Sequence, residues 1–412
     1  MRSLYLAIAA VVLFPAAGFA AGYAVPNTNA RDEGMAGSAV ANQTGPEAAF
    51  ANGAALAGHE GLSMSLSGAL IDFSSTWHDP SGSVGANASA STIPKAAFPV
   101  NFNIAYGFKL GDMPVAAGFA FAVPYGGLIY WPTTWPGNAN VIHVDRRIYD
   151  AELVAAVQPI PQIKLSLGGG IFFGTEKLEQ GLDFGTNDGD VQLGTAGHGL
   201  TWTIATEITP IKEIPFRIGI QYKHQSVIDF TGNAHFENIP ASFQTQGLFD
   251  TTVDHKLTVP NTLNAGLSYD VMPGLTVNAA LTFWRFIVYR DDVFTGGNGL
   301  VVKVPRDYKN SMTYRLGAEY KLPFFDALTL RTGLVRDVSP QPTYTLDPSL
   351  PESSRWAWSV GASYQIIPQL SVTLANEYAW FDETTTSGTN TFPGTYDTHA
   401  EIFCLGLTYK MK

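Results

Sequence analysis

The sequence predicts an all-β membrane protein, an antiparallel transmembrane β-barrel of about fourteen strands plugged by a small N-terminal segment. Three observations predict it. Segments of about ten residues switch between apolar and small or polar side chains with a period of two. Six short proline-bearing turns punctuate them, at 110–114, 159–161, 210–215, 270–274, 322–326 and 366–368. Between these turns lie longer loops rich in Gly, Asn, Thr and Asp, as in a barrel with tight turns on one rim and long loops on the other.

Composition agrees and narrows the function classes. Charged residues make up 14% of the 412 residues, against a norm of about a quarter, while aromatics reach 12%. Mean hydropathy is +0.06, and no run of about 20 apolar residues outside the N-terminus offers a helical span. A barrel produces this combination because lipid-facing and lumen-facing residues cancel along each strand. The net charge of −11 argues against nucleic acid as a partner. A single cysteine, Cys404, excludes an internal disulfide and a multi-cysteine metal site.

Residues 1–20 read as a secretory signal: Arg2, an apolar stretch over 4–14, and a small-x-small site at Gly18-Phe19-Ala20. That stretch is too short to span a bilayer, and export points to the periplasm or the bacterial outer membrane. Residues 21–61 are small and polar, with helix formers over 31–56 broken by glycines. A flexible linker and a plug, or hatch, inside the barrel are both open; the plug is favoured because a barrel this wide needs filling.

Residues 62–412 form the barrel. Strands are expected near 62–76, 97–109, 113–124, 146–158, 163–175, 198–209, 214–226, 255–270, 274–290, 308–322, 326–338, 354–367, 369–383 and 397–411. An even number brings both ends to the short-turn rim; twelve or sixteen strands are the alternatives. Trp356, Trp358, Val360, Ala362 and Tyr364 share one face, opposite Ala357, Ser359, Gly361 and Ser363. Likewise Tyr314, Leu316 and Tyr320 oppose Thr313, Arg315, Gly317 and Glu319. Lipid would not tolerate those charges, so they face a wet or protein-filled interior. A soluble sandwich or propeller would instead need polar outward faces. Trp131, Trp135, Trp356, Trp380 and Tyr409 fall at strand ends, as interfacial girdles do. The eight histidines show no HxxxH or HExxH spacing and there is no GxSxG elbow, so neither metal, cofactor nor catalysis is expected.

Ordered motifs along the chain resemble the FadL-type outer-membrane transporters. They are the start Ala21-Gly22-Tyr23, then Gly34-Met35-Ala36-Gly37, the stretch 47–56, Val123-Pro124-Tyr125-Gly126, Tyr314-Arg315-Leu316-Gly317, Leu330-Arg331-Thr332-Gly333, the stretch 337–342 and the stretch 355–364. Asn52-Gly53-Ala54 stands where the family usually has Asn-Pro-Ala, and the chain ends on Lys410-Met411-Lys412 instead of an aromatic residue. The resemblance implies a monomeric barrel with an N-terminal hatch that takes up long-chain fatty acids or aromatic hydrocarbons. Ligand would be captured among the outer loops, pass to an inner pocket, and leave sideways into membrane lipid through a kink in the third strand.

On that basis Gly118, Pro124, Tyr125 and Gly126 are candidates for the kink, since Pro and Gly weaken strand pairing; an ordinary strand end is the alternative. Tyr23 is the candidate for the inner pocket. A carboxylate cargo needs a cation beside an apolar pocket, and Lys177 and Arg306 lie near positions where fatty-acid binders of the family carry basic residues. Trp131, Trp135, Phe243, Phe249 and Phe294 are candidates for the outer groove, while Arg217, Arg315, Glu319, Arg331 and Glu377 would pair with one another between hatch and barrel. The competing functions are a general diffusion porin, a membrane-embedded lipid hydrolase, and an adhesin or structural barrel.

Overall fold

A computed structural model describes residues 23–25, 29–82, 84–85, 87–185, 188–388 and 392–411. The expected signal segment lies outside them. Fourteen antiparallel strands close on themselves: β1 Gly61–His78, β2 Val100–Leu110, β3 Met113–Tyr130, β4 His143–Ile160, β5 Ile163–Asp183 and β6 Asp188–Ile208. Four strands follow that are each interrupted once: β7 Phe216–Lys223 with Ser226–Glu237, β8 Thr251–Val259 with Thr262–Met272, β9 Leu275–Trp284 with Asp291–Gly296, and β10 Val301–Pro305 with Ser311–Lys321. The last four are β11 Leu328–Asp337, β12 Arg355–Ile367, β13 Leu370–Phe381 and β14 Thr395–Lys410.

Closure is made by β1 and β14, in register from Ser63↔Lys410 to His78↔Thr395. Each strand is thereby paired on both sides over at least part of its length, as a lipid-facing wall requires. The six expected short turns all fall on one rim; Gly111 and Gly274 take φ of +65° and +84° there, a conformation glycine adopts freely. Alternation sorts the faces. Trp358, Leu316 and Leu374 are exposed on the outer wall, whereas Ser359, Thr313 and Ala357 are buried inside.

Several strands run further outward than the sequence suggests. β5 and β6 stay paired from Ile163↔Ile208 to Asp183↔Asp188, where a loop was expected from residue 176. Glycines hide this hairpin because they interrupt the apolar/polar rhythm. They are needed: a Cβ on Gly197 would lie 2.4 Å from the Asp229 carbonyl oxygen.

Residues 29–58 lie inside the barrel as two short helical turns, Ala30–Glu33 and Ala48–Ala51, and a 3₁₀ turn, Gly53–Gly58. Glycines of seven wall strands face this hatch: Gly118, Gly219, Gly266, Gly317, Gly333, Gly361 and Gly406. A Cβ on Gly333 would lie 2.3 Å from the Met35 carbonyl carbon, and one on Gly219 2.4 Å from the Val40 oxygen. The wall is thus smooth where the hatch backbone touches it. Glu319 ties the two together, accepting from Arg31 of the hatch at 3.1 Å and from Arg331 of the wall at 2.6 Å. Arg217 instead joins neighbouring wall strands through Asp270 at 2.7 Å.

Asn52, Gly53 and Ala54 occupy the hatch's tightest corner. The Asn52 amide donates to the Val40 carbonyl at 2.8 Å, and its oxygen accepts from the Ala54 N–H at 3.2 Å. Gly53 sits so close to the wall that a Cβ would meet Val154 at 2.6 Å and Ser166 at 2.8 Å.

Candidate functional site: an outer cavity above an interrupted strand

β2 and β3 pair from Leu110↔Met113 to Phe102↔Phe121, where β2 is about to end and β3 has nine further residues. Above that point β1 turns to other partners, Ala97 and the short piece Ser89–Ser91. β3 then breaks register with β4: Ala122 faces Asp150 but Tyr125 faces Ile148, three steps against two. This is a bulge of one extra residue, and Pro124 within it has no N–H to give to a ladder.

The chain's own N-terminal segment covers the exposed stretch. Val25 N–H donates to the Pro124 carbonyl at 2.8 Å, and Gly126 N–H donates to the Tyr23 carbonyl at 2.8 Å. Ala24 and Tyr125 form the bridge between them. Tyr23 is fully buried; its hydroxyl donates to the Thr258 carbonyl at 2.6 Å, and its ring meets Tyr289 at 5.2 Å and Tyr125 and Phe286 at 5.7 Å.

Two cavities flank this segment. The outer one, about 680 Å³, lies beneath the outer loops, with apolar walls that include Leu178, Leu193, Val253 and Phe294. Its volume is within the range that takes a drug-sized ligand. The inner one, about 150 Å³, lies between Val25, Phe50, Pro124, Tyr125, Lys223 and Trp284. Tyr125 and its neighbours thus stand between the cavities, beside the interrupted strand.

The floor of the outer cavity carries a continuous chain of opposite charges. Arg146 donates to Glu176 at 2.6 Å, and His255 contacts Glu176 at 3.0 Å through one ring nitrogen and Asp292 at 3.1 Å through the other. Asp292 also accepts from Arg306 at 2.8 Å and from the Tyr289 hydroxyl at 2.6 Å; Arg306 then reaches Asp347. All but Asp347 are buried, and they come from β4, β5, β8, β9 and the β10 interruption. Burying such charges is tolerable only because each has a partner.

Tyr23 and Arg306 line the outer cavity. Lys177 does not; it is exposed on the opposite face of β5 from buried Glu176, one residue away and therefore across the sheet. Trp131 and Trp135 also lie elsewhere. They stack at 4.2 Å in a buried loop cluster, donating to the carbonyls of Pro348 at 3.0 Å and Val141 at 2.8 Å. Trp135 also meets Trp77 and Phe392, which makes the stacked pair loop core instead of groove or girdle.

Phe294 lines the cavity, Phe243 packs on Phe184 at 4.6 Å, and Phe249 is exposed. Pro124, Tyr125 and Gly126 fall at the bulge. Gly118 falls below it, in regular pairing with Ala105 and Val154, and is a hatch contact: a Cβ there would meet Leu56 at 2.7 Å. Sequence reasoning missed Arg146, Glu176, His255 and Asp292. The available signal was the inward alternation of Arg146, Asp150 and Glu152 along β4.

A family model for outer membrane transport proteins, described as OMPP1/FadL/TodX, matches residues 11–411. The chain belongs to this family. It is 28% identical over 207 residues to outer membrane protein P1 of Haemophilus influenzae, covering 47% of this chain and 43% of that protein. It is 32% identical over 169 residues to a 47 kDa outer membrane protein of Pasteurella multocida, covering 38% of each. The matched stretches thus span less than half of those relatives' own lengths.

Among solved structures, a FadL homologue of Pseudomonas aeruginosa superposes with a TM-score of 0.85 at 18% identity, over 95% of this chain and 100% of that one. The toluene transporter TodX of P. putida gives 0.71 at 16%, over 93% and 98%. At such identities the likeness establishes the fold: a closed fourteen-stranded FadL-type barrel. Like its family, the protein resides in the outer membrane, and the family is one of transport proteins, not enzymes.

Proposed function

We propose that this FadL-family protein takes up a hydrophobic small molecule, holding it in the outer cavity and releasing it sideways into the bilayer beside the β3 bulge. The observation that carries this is the Ala122–Tyr125 register break, where β3 has already left β2 and is covered at Pro124–Gly126 by Tyr23–Val25, with Ile93 donating to the Tyr130 carbonyl beyond it. Displacing that three-residue cover joins the outer cavity to the lumen and to the unpaired wall. Sideways release suits apolar cargo, because entering periplasmic water would cost about 0.8 kcal/mol per CH₂. The solved relatives named as toluene transporters support a hydrophobic cargo. A general diffusion porin is disfavoured by the hatch, which meets the wall on seven strands.

Deletion of Val123 removes the extra residue and lets β3 pair regularly with β4. In liposomes carrying the purified protein, uptake of radiolabelled hexadecanol, palmitate or toluene is expected to fall about tenfold on this deletion, with the barrel still folded. Undiminished uptake of every probe that the wild type transports would contradict lateral release.

A further inference from the structure

We propose that the outer cavity selects uncharged hydrophobic cargo and turns carboxylates away, an inference that rests on the uptake function proposed above and names its substrate class. The basis is that every basic side chain lining the cavity already has its acid. Arg146 has Glu176 at 2.6 Å, Arg306 has Asp292 at 2.8 Å and Asp347 beside it, Lys303 has Asp291 at 2.9 Å, and His143 has Glu179 at 3.1 Å.

The floor also closes as a charge count. His255 meets ionised carboxylates through both ring nitrogens, and a carboxylate can only accept, so both nitrogens donate and the ring is the imidazolium. Three cations, Arg146, His255 and Arg306, then balance three anions, Glu176, Asp292 and Asp347.

A carboxylate entering this cavity would shed hydration without gaining a cation, which is costly in an apolar site. To gain Arg306 it would have to displace Asp292 or Asp347 and strand that anion. Further in, the next cation on the route offers no help: Lys223 is held by both Asp150 and Glu152, so that step carries surplus negative charge. An uncharged molecule meets no such penalty and gains the apolar walls.

Hexadecanol and palmitate separate the alternatives, since they share a chain length and differ in the head group. Scintillation-proximity binding to the purified full-length protein in non-ionic detergent, at a pH where palmitate is ionised, is expected to show hexadecanol at least about tenfold tighter. Asp347→Asn leaves Arg306 with one carboxylate and is expected to shift the palmitate-to-hexadecanol affinity ratio about tenfold toward palmitate. Palmitate binding as tightly as hexadecanol to the wild type would overturn the neutral-cargo inference and leave the uptake function standing. Binding of neither would overturn the inference, and with toluene uptake in liposomes also absent it would overturn the uptake function as well. The wild-type comparison decides the matter even if the variant fails to fold.

Discussion

Asp292 is the hinge of the buried charge chain, accepting from His255, Arg306 and Tyr289 at once. Asp292→Asn preserves its shape and removes its charge, leaving His255 and Arg306 underpaired in a dry site. The expected cost is about 3–5 kcal/mol of barrel stability, the usual penalty for breaking a buried ion pair from one side. Urea unfolding in lipid vesicles measures it; a change under about 0.5 kcal/mol would show that water reaches the floor and screens it. Arg306 was legible as a candidate because it lies near a position where fatty-acid binders of the family carry a basic residue. The other members of its charge chain, Arg146, Glu176, His255 and Asp292, were not, since they lie between 14 and 160 residues from it on four other stretches of chain that only barrel curvature brings together. Lys177 illustrates the converse: on a strand, a one-residue offset sends a side chain to the opposite face, so nearness in sequence to a functional position carries little.

At the scale of elements, the hatch is held by wall glycines more than by side-chain bonds. Gly333→Leu would drive a side chain into the Met35–Ala36 backbone, which cannot yield as a flexible side chain could. The hatch is expected to be displaced while the barrel closes, so single-channel recordings in planar bilayers should show conductance that the wild type lacks. A folded variant that remains silent would mean that the hatch repacks without opening the lumen. The fourteen strands were legible from their period of two because lipid outside and hatch inside demand different side chains at alternate positions. Their outer ends were not, because glycines such as Gly197 serve close backbone approach and erase the rhythm there. The bulge was located to within a few residues by Pro124 and Gly126, whereas Gly118 was misassigned: a strand glycine signals close approach as readily as a break, and here the hatch is what approaches.

For the whole molecule, the closed wall, the occupied lumen and the covered bulge form one arrangement, and on the proposed route cargo moves only if Tyr23–Val25 moves. That route would keep apolar cargo out of water from the outer cavity to the bilayer. The most direct test locks that segment. Ala24 and Tyr125 are bridge partners on antiparallel backbone, where Cα atoms lie about 4.5–5.5 Å apart, a separation that a disulfide spans. In an Ala24→Cys/Tyr125→Cys variant reconstituted in liposomes, hexadecanol uptake is predicted to cease when the pair is oxidised and to return on reduction. Uptake that continues unchanged through the oxidised protein would contradict the account.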